Sequence, residues 1–185
     1  MPEIETHPFA PFIPKVAKVL IMGTFPPQPK RWAMDFYYPN RTNDFWPMMG
    51  LIFFNDREAL IDRENRTFRL DKIRNLLERE GIAMSDTGYR VLRLKNNASD
   101  KFLEIVEPVD LQALLDRMPN LRAIATTGEK AAQVIAQLTG TEPPKMGESV
   151  IGHDGLKIWR MPSTSRAYPL PLADKAAYYR RLFTD

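Results

Sequence analysis

The sequence lacks cysteine altogether and has only two histidines, His7 and His153, among its 185 residues. Without cysteine the chain can form no disulfide, no thiolate metal site and no thiol nucleophile. Two histidines leave little from which to build a zinc centre, and no cluster of carboxylates stands out. We therefore expect a protein that needs neither a metal nor another cofactor.

Long apolar runs are also missing. No stretch of about 18 apolar residues is free of charges, as a membrane-spanning helix would require. The first 14 residues carry Glu3, Glu5 and several prolines, where a signal peptide has a basic start and an apolar run. We expect a soluble cytoplasmic protein of bacterial type that does not bind a membrane.

The length and the hydrophobic content, 185 residues and 44%, suit one well-cored domain covering residues 1–185. The formal net charge is +3 and the isoelectric point is about 9.2. Such a surface does not strongly repel a polyanion. The charge therefore permits a nucleic-acid partner without requiring one.

Short apolar segments alternate with amphipathic ones along most of the chain. Strands separated by helices form βαβ units, so the predicted fold class is α/β with helices on both faces of the sheet. Ligands of such sheets bind beyond the carboxyl ends of the strands, which makes the loops after the first and last strands the candidate sites. Strands are predicted at residues 16–22, 121–126 and 156–161 and around Tyr89 within 85–94, and helices at residues 44–54, 70–80, 108–118, 131–138 and 173–183.

Three short motifs fall at these positions. GTFPP (residues 23–27) ends the first strand, NDFWP (43–47) opens the next helix, and MPSTSRAYP (161–169) follows the last strand. Each motif by itself is a common turn or helix cap. Their order and placement together are more specific than any one of them.

In this order and spacing the motifs resemble the mismatch-specific and hypoxanthine-acting branches of the uracil-DNA glycosylase superfamily. The resemblance implies a three-layer α/β/α sandwich around a short, mostly parallel four-stranded sheet. It also implies a monofunctional, metal-free glycosylase whose partner is DNA containing a deaminated base. We expect a monomer associated with the nucleoid.

One position departs from the mismatch-specific branch. There the catalytic asparagine directly precedes the proline of the first motif, and this chain has Phe25 at that place. The hypoxanthine-acting branch similarly lacks that asparagine and uses the one in N-x-F-W, which corresponds to Asn43. The resemblance thus favours the hypoxanthine-acting branch, with Asn43 catalytic and uracil as the substrate to exclude.

The base-binding residues are expected in the first two motifs. A leaving base develops negative charge, so it needs donors, and the chain leaving the strand through Gly23 offers the backbone N–H groups of Thr24 and Phe25. Asn43 can both accept from water and donate to the base. Phe45 is expected to provide a flat face for stacking, with a place in the core beside Trp46 as the alternative.

The DNA-binding residues are expected in the late motif. Hydroxyl groups of Ser163, Thr164 and Ser165 can bind phosphates, and Arg166 with Tyr168 can enter the duplex where the base is removed. A purely structural turn would use the same residues. Further candidates are Lys30, Arg31, Lys95 and Lys101 for phosphate contacts and Asp86, which either orients water or, the favoured interpretation, caps a turn with Ser85 and Thr87.

Two other functions remain open from the sequence. A nucleic-acid-binding domain that has lost catalysis would account for Phe25. A hydrolase or nucleotide-binding enzyme could hold a phosphate at Thr127 and Gly128, where a helix begins. The second alternative lacks the Walker, G-x-S-x-G and G-x-G-x-x-G patterns.

Overall fold

The computed structural model describes residues 3–94 and 100–184. Lys95, one of the predicted phosphate contacts, lies outside this part of the chain. The strands are β1 Ile4–Thr6, β2 Val19–Gly23, β3 Ile61–Asp62, β4 Thr67–Phe68, β5 Ile82–Asp86, β6 Gly88–Arg93, β7 Leu103–Pro108, β8 Ala123–Thr127, β9 Ser149–Ile151 and β10 Lys157–Met161. The helices are α1 Phe45–Phe54, α2 Leu70–Glu80, α3 Leu111–Asp116, α4 Glu129–Thr139 and α5 Leu172–Arg180.

The central sheet has the strand order β5-β2-β8-β10-β9. The first four strands are mutually parallel, and β9 adds an antiparallel edge to β10. The predicted mostly parallel sheet is confirmed, with a parallel part of four strands and a fifth strand at its edge. Strand β2 pairs with β5 on one side and β8 on the other, so the chain order reverses there.

Alternate residues of the strands bury opposite faces of the sheet. Val19 and Ile21 of β2 belong to the core shared with α1, α2 and α5, whereas Leu20 and Met22 belong to the core shared with α3 and α4. This alternation follows from the pleat of a strand that is buried on both faces. The result is the predicted three-layer α/β/α sandwich.

Two helices end at a glycine and a third begins at a side-chain cap. Helix α2 covers the predicted residues, and Gly81 follows it in the left-handed conformation that glycine adopts without strain. Gly140 ends α4 in the same way. Asp110 caps α3 through its side chain, which accepts a hydrogen bond from the Ala113 N–H.

The region between residues 82 and 108 differs from the prediction. Strand β5 is the partner of β2 in the main sheet, and the predicted strand around Tyr89 is β6, which belongs to a separate antiparallel sheet of order β1-β6-β7. Pro108 ends β7 and does not begin a helix. The assignment was wrong because three apolar residues after Gly81 are too short a run to distinguish from a helix end.

Candidate functional site

A cavity of about 540 Å³ opens at the carboxyl edge of the parallel strands. Gly23 ends β2, Asp86 ends β5 and Thr127 ends β8, and all three line this cavity. The segment after β10 contributes residues 163–167. The cavity therefore lies where an α/β sheet of this topology binds its ligand.

Most of the predicted site residues meet at this cavity. The loop after β2, the start of α1 and the loop after β10 are far apart in sequence, yet they form its walls. The predicted residues that line it are Gly23, Thr24, Phe25, Asn43, Ser163, Thr164, Ser165 and Arg166.

Phe45 is the exception. It has no exposed surface, and its ring stacks on that of Tyr38 with 4.0 Å between centroids and 14° between planes. It does not line the cavity, so its prediction as a stacking face for a base is wrong, and the alternative placing it in the core is correct. Tyr38, which belongs to none of the three motifs, lines the cavity in front of it. Periodicity cannot tell which of several neighbouring aromatic residues faces a ligand.

The corner of the cavity next to Gly23 is polar and depends on the absence of a side chain there. A Cβ at this position would lie 3.0 Å from Asp86 Oδ1, 3.0 Å from the Tyr38 hydroxyl and 3.2 Å from Thr127 Oγ1. The last two groups are hydrogen-bonded to each other at 2.8 Å. Burial, and then the negative charge of Asp86, raise the pKa of Tyr38 well above its usual range, so its hydroxyl stays neutral.

Asp86 is a buried carboxylate held by a histidine. Its Oδ2 lies 2.7 Å from His7 Nε2, and both side chains are less than a tenth exposed. The other ring nitrogen of His7 lies within hydrogen-bonding distance of the Phe9 backbone, as an acceptor from its N–H or a donor to its carbonyl. The interpretation of Asp86 as a turn cap is wrong, because it bonds to His7 and its second oxygen faces Gly23.

A second carboxyl group in the cavity lining belongs to Asp100, which contacts Thr24. Asp100 Oδ2 accepts a hydrogen bond of 3.2 Å from the Thr24 hydroxyl, and Asp100 lines the cavity. The residue as a whole is exposed, and the carboxyl group is its buried part. Burial, with the charge of Asp86 acting in the same direction, raises the pKa of Asp100 against the lowering effect of the Thr24 hydroxyl.

Asn43 is oriented by the start of α1. Its Oδ1 accepts the Phe45 N–H at 2.9 Å, an Asx turn that satisfies one of the free amides at the helix start. This bond directs the amide oxygen toward the helix. The Nδ2 group, with two donors, is left for the cavity that Asn43 lines.

A network of charges joins the start of α1 to residues 163–167 after β10, the late loop. Asp44 is buried and bonds to Arg166 Nε at 3.1 Å and to Lys175 Nζ at 3.0 Å. Lys175 is completely buried and also donates to the Ser165 carbonyl, while the Asp44 N–H donates to the Thr164 carbonyl. Arg166 remains half exposed at the cavity mouth.

The serines of the late loop hold their own turn. Ser163 Oγ accepts the Ser165 N–H at 3.1 Å, and Ser165 Oγ accepts the Ala167 N–H at 3.3 Å. Both hydroxyl groups act as acceptors here, so their protons remain available to a ligand oxygen. Thr164 is buried. The structural and the ligand-binding interpretations of this loop are therefore compatible.

The other candidates differ in position. Arg31 lines the cavity, whereas Lys30 and Lys101 are exposed outside it. Tyr168 also lies outside its lining, with the Lys175 Nζ 6.0 Å from its ring centroid. Phe25 packs edge-on against His7 and beneath Arg93, whose Nη2 also donates to the Pro26 carbonyl.

Two features count against a nucleotide phosphate at Thr127 and Gly128. The Gly128 N–H donates to the Met161 carbonyl, and Glu129 places a negative charge in the first turn of α4.

Among residues 3–94 and 100–184, no group of three or more His, Asp or Glu side chains is arranged to hold a metal ion. In the same ranges no helix is long and apolar enough to cross a membrane.

No protein family and no curated protein sequence matches this chain. A solution NMR structure of a proposed uracil DNA glycosylase from Methanosarcina acetivorans is similar over 97% of this chain and 99% of that one, with a TM-score of 0.60. The two proteins share a fold. Their sequences are 20% identical. The likeness therefore establishes the α/β architecture and, at this identity, not the activity.

Proposed function

We propose that this protein is a monofunctional DNA glycosylase, which takes a deaminated base from DNA into the cavity and hydrolyses its bond to the sugar. The observation that carries the proposal is the polar corner above Gly23, where the Asp86 carboxylate, the Tyr38 hydroxyl and Thr127 converge in a cavity walled by Asn43. The shared fold with a proposed uracil DNA glycosylase supports it. The cavity volume is within the range of about 300 to 1,000 Å³ common for small-ligand sites.

The reaction needs few groups. The C1′–nitrogen bond breaks with its electron pair staying on the base, the oxygen of a water molecule bonds to C1′, and a proton of that water ends on the base or the solvent. Positive charge develops on the sugar and negative charge on the base. A carboxylate that orients water and stabilises the sugar, with donors for the base, meets these demands.

We assign the carboxylate to Asp86 and the donor to Asn43. The Asp86 oxygen beside Gly23 is positioned to accept from a water molecule, since its other oxygen is bonded to His7. The Asn43 Nδ2 group is the side-chain donor for the negative charge on the base. His7 acts through Asp86 and is a positioning residue.

The base is proposed to stack on the aromatic side chains that line the cavity, Phe25 and Tyr38. Stacking of a base on an aromatic ring contributes about 1 to 3 kcal/mol and tolerates different bases. Tyr38 is backed by Phe45 and hydrogen-bonded to Thr127, so its ring is held rigidly. Backbone N–H groups of Thr24 and Phe25 remain candidates for binding a base carbonyl.

Hypoxanthine is the proposed preferred base and uracil the alternative. The preference rests on the resemblance of a first motif without asparagine, with Phe25 in its place, to the hypoxanthine-acting branch. Ser163, Ser165 and Arg166 are proposed to contact the DNA around the extruded nucleotide, because all three line the cavity at its late loop. DNA with a deaminated base is thus the proposed partner, and a monomer in the cytoplasm the proposed form.

Phe25 favours a second candidate, a nucleic-acid-binding domain without catalysis. The ring of Phe25 occupies part of the cavity wall and can neither hold water nor donate a hydrogen bond. The buried Asp86 argues for the enzyme, since a binding domain gains nothing from a buried carboxylate near a negatively charged polymer.

The deciding experiment is base release from a panel of oligonucleotides, each carrying one deoxyinosine, deoxyuridine or deoxyxanthosine, as single strands and as duplexes. The protein is incubated with EDTA, and abasic sites are revealed by alkali. We expect cleavage at deoxyinosine above all, without a requirement for metal. Asn43→Ala protein purified in parallel controls for contaminating glycosylases. Binding without cleavage on every substrate would favour the second candidate.

A further inference from the structure

A second groove, of about 500 Å³, adjoins the cavity and is rich in arginine. Arg166 lines both, so the groove begins at the cavity mouth. Its net formal charge is +3, as large as that of the whole chain. The charged residues of this arginine groove are Arg41, Arg57, Arg63, Arg66, Arg166, Glu58 and Asp62.

The two carboxylates of the arginine groove are already engaged. Glu58 accepts hydrogen bonds from Nε and Nη2 of Arg63. Asp62 accepts from the backbone and the side chain of Asn65 at 3.1 and 2.8 Å. Within the described part of the chain, Arg41 and Arg66 form no ion pair and are exposed. The groove therefore presents guanidinium groups that are free to bind an anion.

The hairpin that carries part of this charge is firmly attached. Strands β3 and β4 pair through Ile61 with Phe68 and Asp62 with Thr67. Phe68 is buried, and the Thr67 hydroxyl donates to the Ala33 carbonyl in the loop after β2. Because the backbone of the hairpin is already ordered, binding requires the ordering of its side chains alone, which favours recognition over a merely solvated surface.

Arg66 stands at the hairpin in a left-handed conformation, with φ of 56°. Glycine or asparagine adopts this conformation more readily than a long side chain does. Turn geometry alone therefore does not account for arginine here. A strained residue that persists on a binding surface points to a use for its side chain.

We propose that the arginine groove binds the phosphate backbone of the DNA strand that continues from the nucleotide held in the cavity. The choice of DNA rests on the proposed function. The planar guanidinium fork matches phosphate oxygens, and phosphate contacts fix the register of a protein on DNA. Because Arg166 belongs to both surfaces, a strand leaving the cavity mouth at this side enters the groove directly.

The test measures affinity for an undamaged duplex as a function of salt. The variant is Arg41→Gln/Arg57→Gln/Arg66→Gln, which leaves the Arg63–Glu58 pair intact. Its matched control is Lys15→Gln/Lys18→Gln/Arg79→Gln, which removes three exposed charges from segments that precede the parallel strands β2 and β5, at the edge opposite the cavity. Both variants lose the same net charge.

Each lost phosphate contact should make the slope of log K against log salt shallower by about 0.9. Such a variant should therefore lose about eightfold more affinity for DNA at 0.1 M salt than it loses at 1 M salt. We expect the groove variant to lose two or three contacts and the control none. Equal affinities and slopes for the two variants would overturn the proposal. Tighter binding of wild-type protein to an RNA duplex than to DNA, lost in the groove variant, would assign the groove to RNA and overturn it as well.

Arg66→Gly separates recognition from stability. Glycine relieves the left-handed conformation, so the melting temperature should stay the same or rise while the affinity for DNA falls. A lower melting temperature with unchanged affinity would show that Arg66 serves the hairpin alone. Binding to undamaged DNA requires no base release, so failure of the glycosylase assay on every lesion would leave these results standing.

Discussion

At the scale of single residues, the cavity is lined by the Asn43 amide and the Asp86 carboxylate, and their orientations come from different neighbours. Asn43 is turned by the Phe45 N–H, and Asp86 by His7. Both side chains are therefore positioned before a ligand arrives. Preorganised polar groups of this kind contribute to catalysis because they need not reorient in the transition state.

Asn43→Ala should lower the single-turnover rate by about 10² to 10³, since one well-placed polar group typically contributes about 2.7 to 4 kcal/mol to a transition state. DNA affinity should remain mostly intact. The change also removes the Asx turn at the start of α1, with a typical cost of about 1 kcal/mol. Asn43→Ser is the matched control, because its hydroxyl can accept the Phe45 N–H in a similar turn, adds no charge and lacks the Nδ2 donors. A melting temperature near that of wild type with low activity would assign the loss to the donors, and full activity in both variants would remove Asn43 from the site.

Asp86→Asn should abolish most of the turnover while DNA binding is retained or improved, because a negative charge near the phosphates is removed. His7→Gln should lower kcat less, since glutamine can still donate to Asp86. We would compare the pH profiles of kcat for wild type and His7→Gln. A changed profile with an unchanged KM indicates positioning of Asp86; a lower melting temperature alone indicates that His7 only supports the fold.

Gly23→Ala should displace the groups of the polar corner, since its Cβ would lie 3.0 to 3.2 Å from side-chain atoms of Asp86, Tyr38 and Thr127, which must move to make room. The expected result is loss of base release together with a lower melting temperature, because Tyr38 and Asp86 are held by other contacts. The affinity for undamaged DNA, which does not need the corner, is the internal control. Wild-type rates in this variant would place the reacting base elsewhere in the cavity.

At the scale of elements, side chains of α5 donate hydrogen bonds to backbone carbonyls of the segment that follows β10. Lys175 donates to the Ser165 carbonyl and Tyr179 donates to the Pro162 carbonyl at 2.6 Å. Asp44, at the start of α1, completes the arrangement by bonding to Lys175 and Arg166. The loop that follows β10 is thus fixed to both helices, and its serines are presented to the cavity on a rigid support.

Lys175→Met should destabilise the fold by less than the about 3 to 5 kcal/mol typical of a buried charge left without any partner, because Arg166 still pairs with Asp44 while the Ser165 carbonyl loses its donor. The double variant Lys175→Met/Asp44→Asn should lose less than the sum of the single variants. Thermal and urea unfolding measure both quantities. Arg180→Met, an exposed position on the same helix, is the control and should change stability little. Additive losses would argue against coupling between the two buried charges.

Arg166→Ala should slow base release more on a fully paired lesion than on a single-stranded one. Extruding a nucleotide costs a few kcal/mol in a paired duplex and less where pairing is absent, so a residue that supports extrusion matters most in the duplex. Single-turnover rates and affinities on both substrates at two salt concentrations measure the effect. Arg166→Lys retains the charge and loses the guanidinium fork that bonds to Asp44. An equal loss on both substrates would mean that Arg166 serves stability or chemistry instead.

At the scale of the whole molecule, the candidate site contains residues positioned by both the parallel and the antiparallel sheet. Strand β1 pairs with β6 in the register Ile4 to Leu92 and Thr6 to Arg90. The His7 N–H then donates to the Tyr89 carbonyl, three residues beyond Asp86. The antiparallel sheet thereby brings a histidine from the start of the chain against the carboxylate that ends a parallel strand. This pairing depends on contacts more than 80 residues apart in sequence.

Much of the architecture could be read from local patterns. The α/β class, helix α2 with its Gly81 end and the cavity at the loops after β2 and β10 all follow from periodicity, caps and topology rules. Gly23, Thr24 and Phe25 and the loop residues 163–166 line the cavity for the same reason. They lie at or just after the ends of β2 and β10, and the ends of parallel strands meet at one edge.

The sequence by itself thus determined which loops form the site, because the succession of strands and helices along the chain and the turn residues between them are local or nearly local properties. Only the tertiary structure decided that Tyr38 and not Phe45 faces the cavity, that Asp86 bonds to His7 and not to its neighbouring turn, and that Arg166 and Lys175 share Asp44. Burial and charge pairing depend on which distant side chains fill the space around a residue. Composition and residue spacing do not specify these distant side chains, which are known only once the chain has packed.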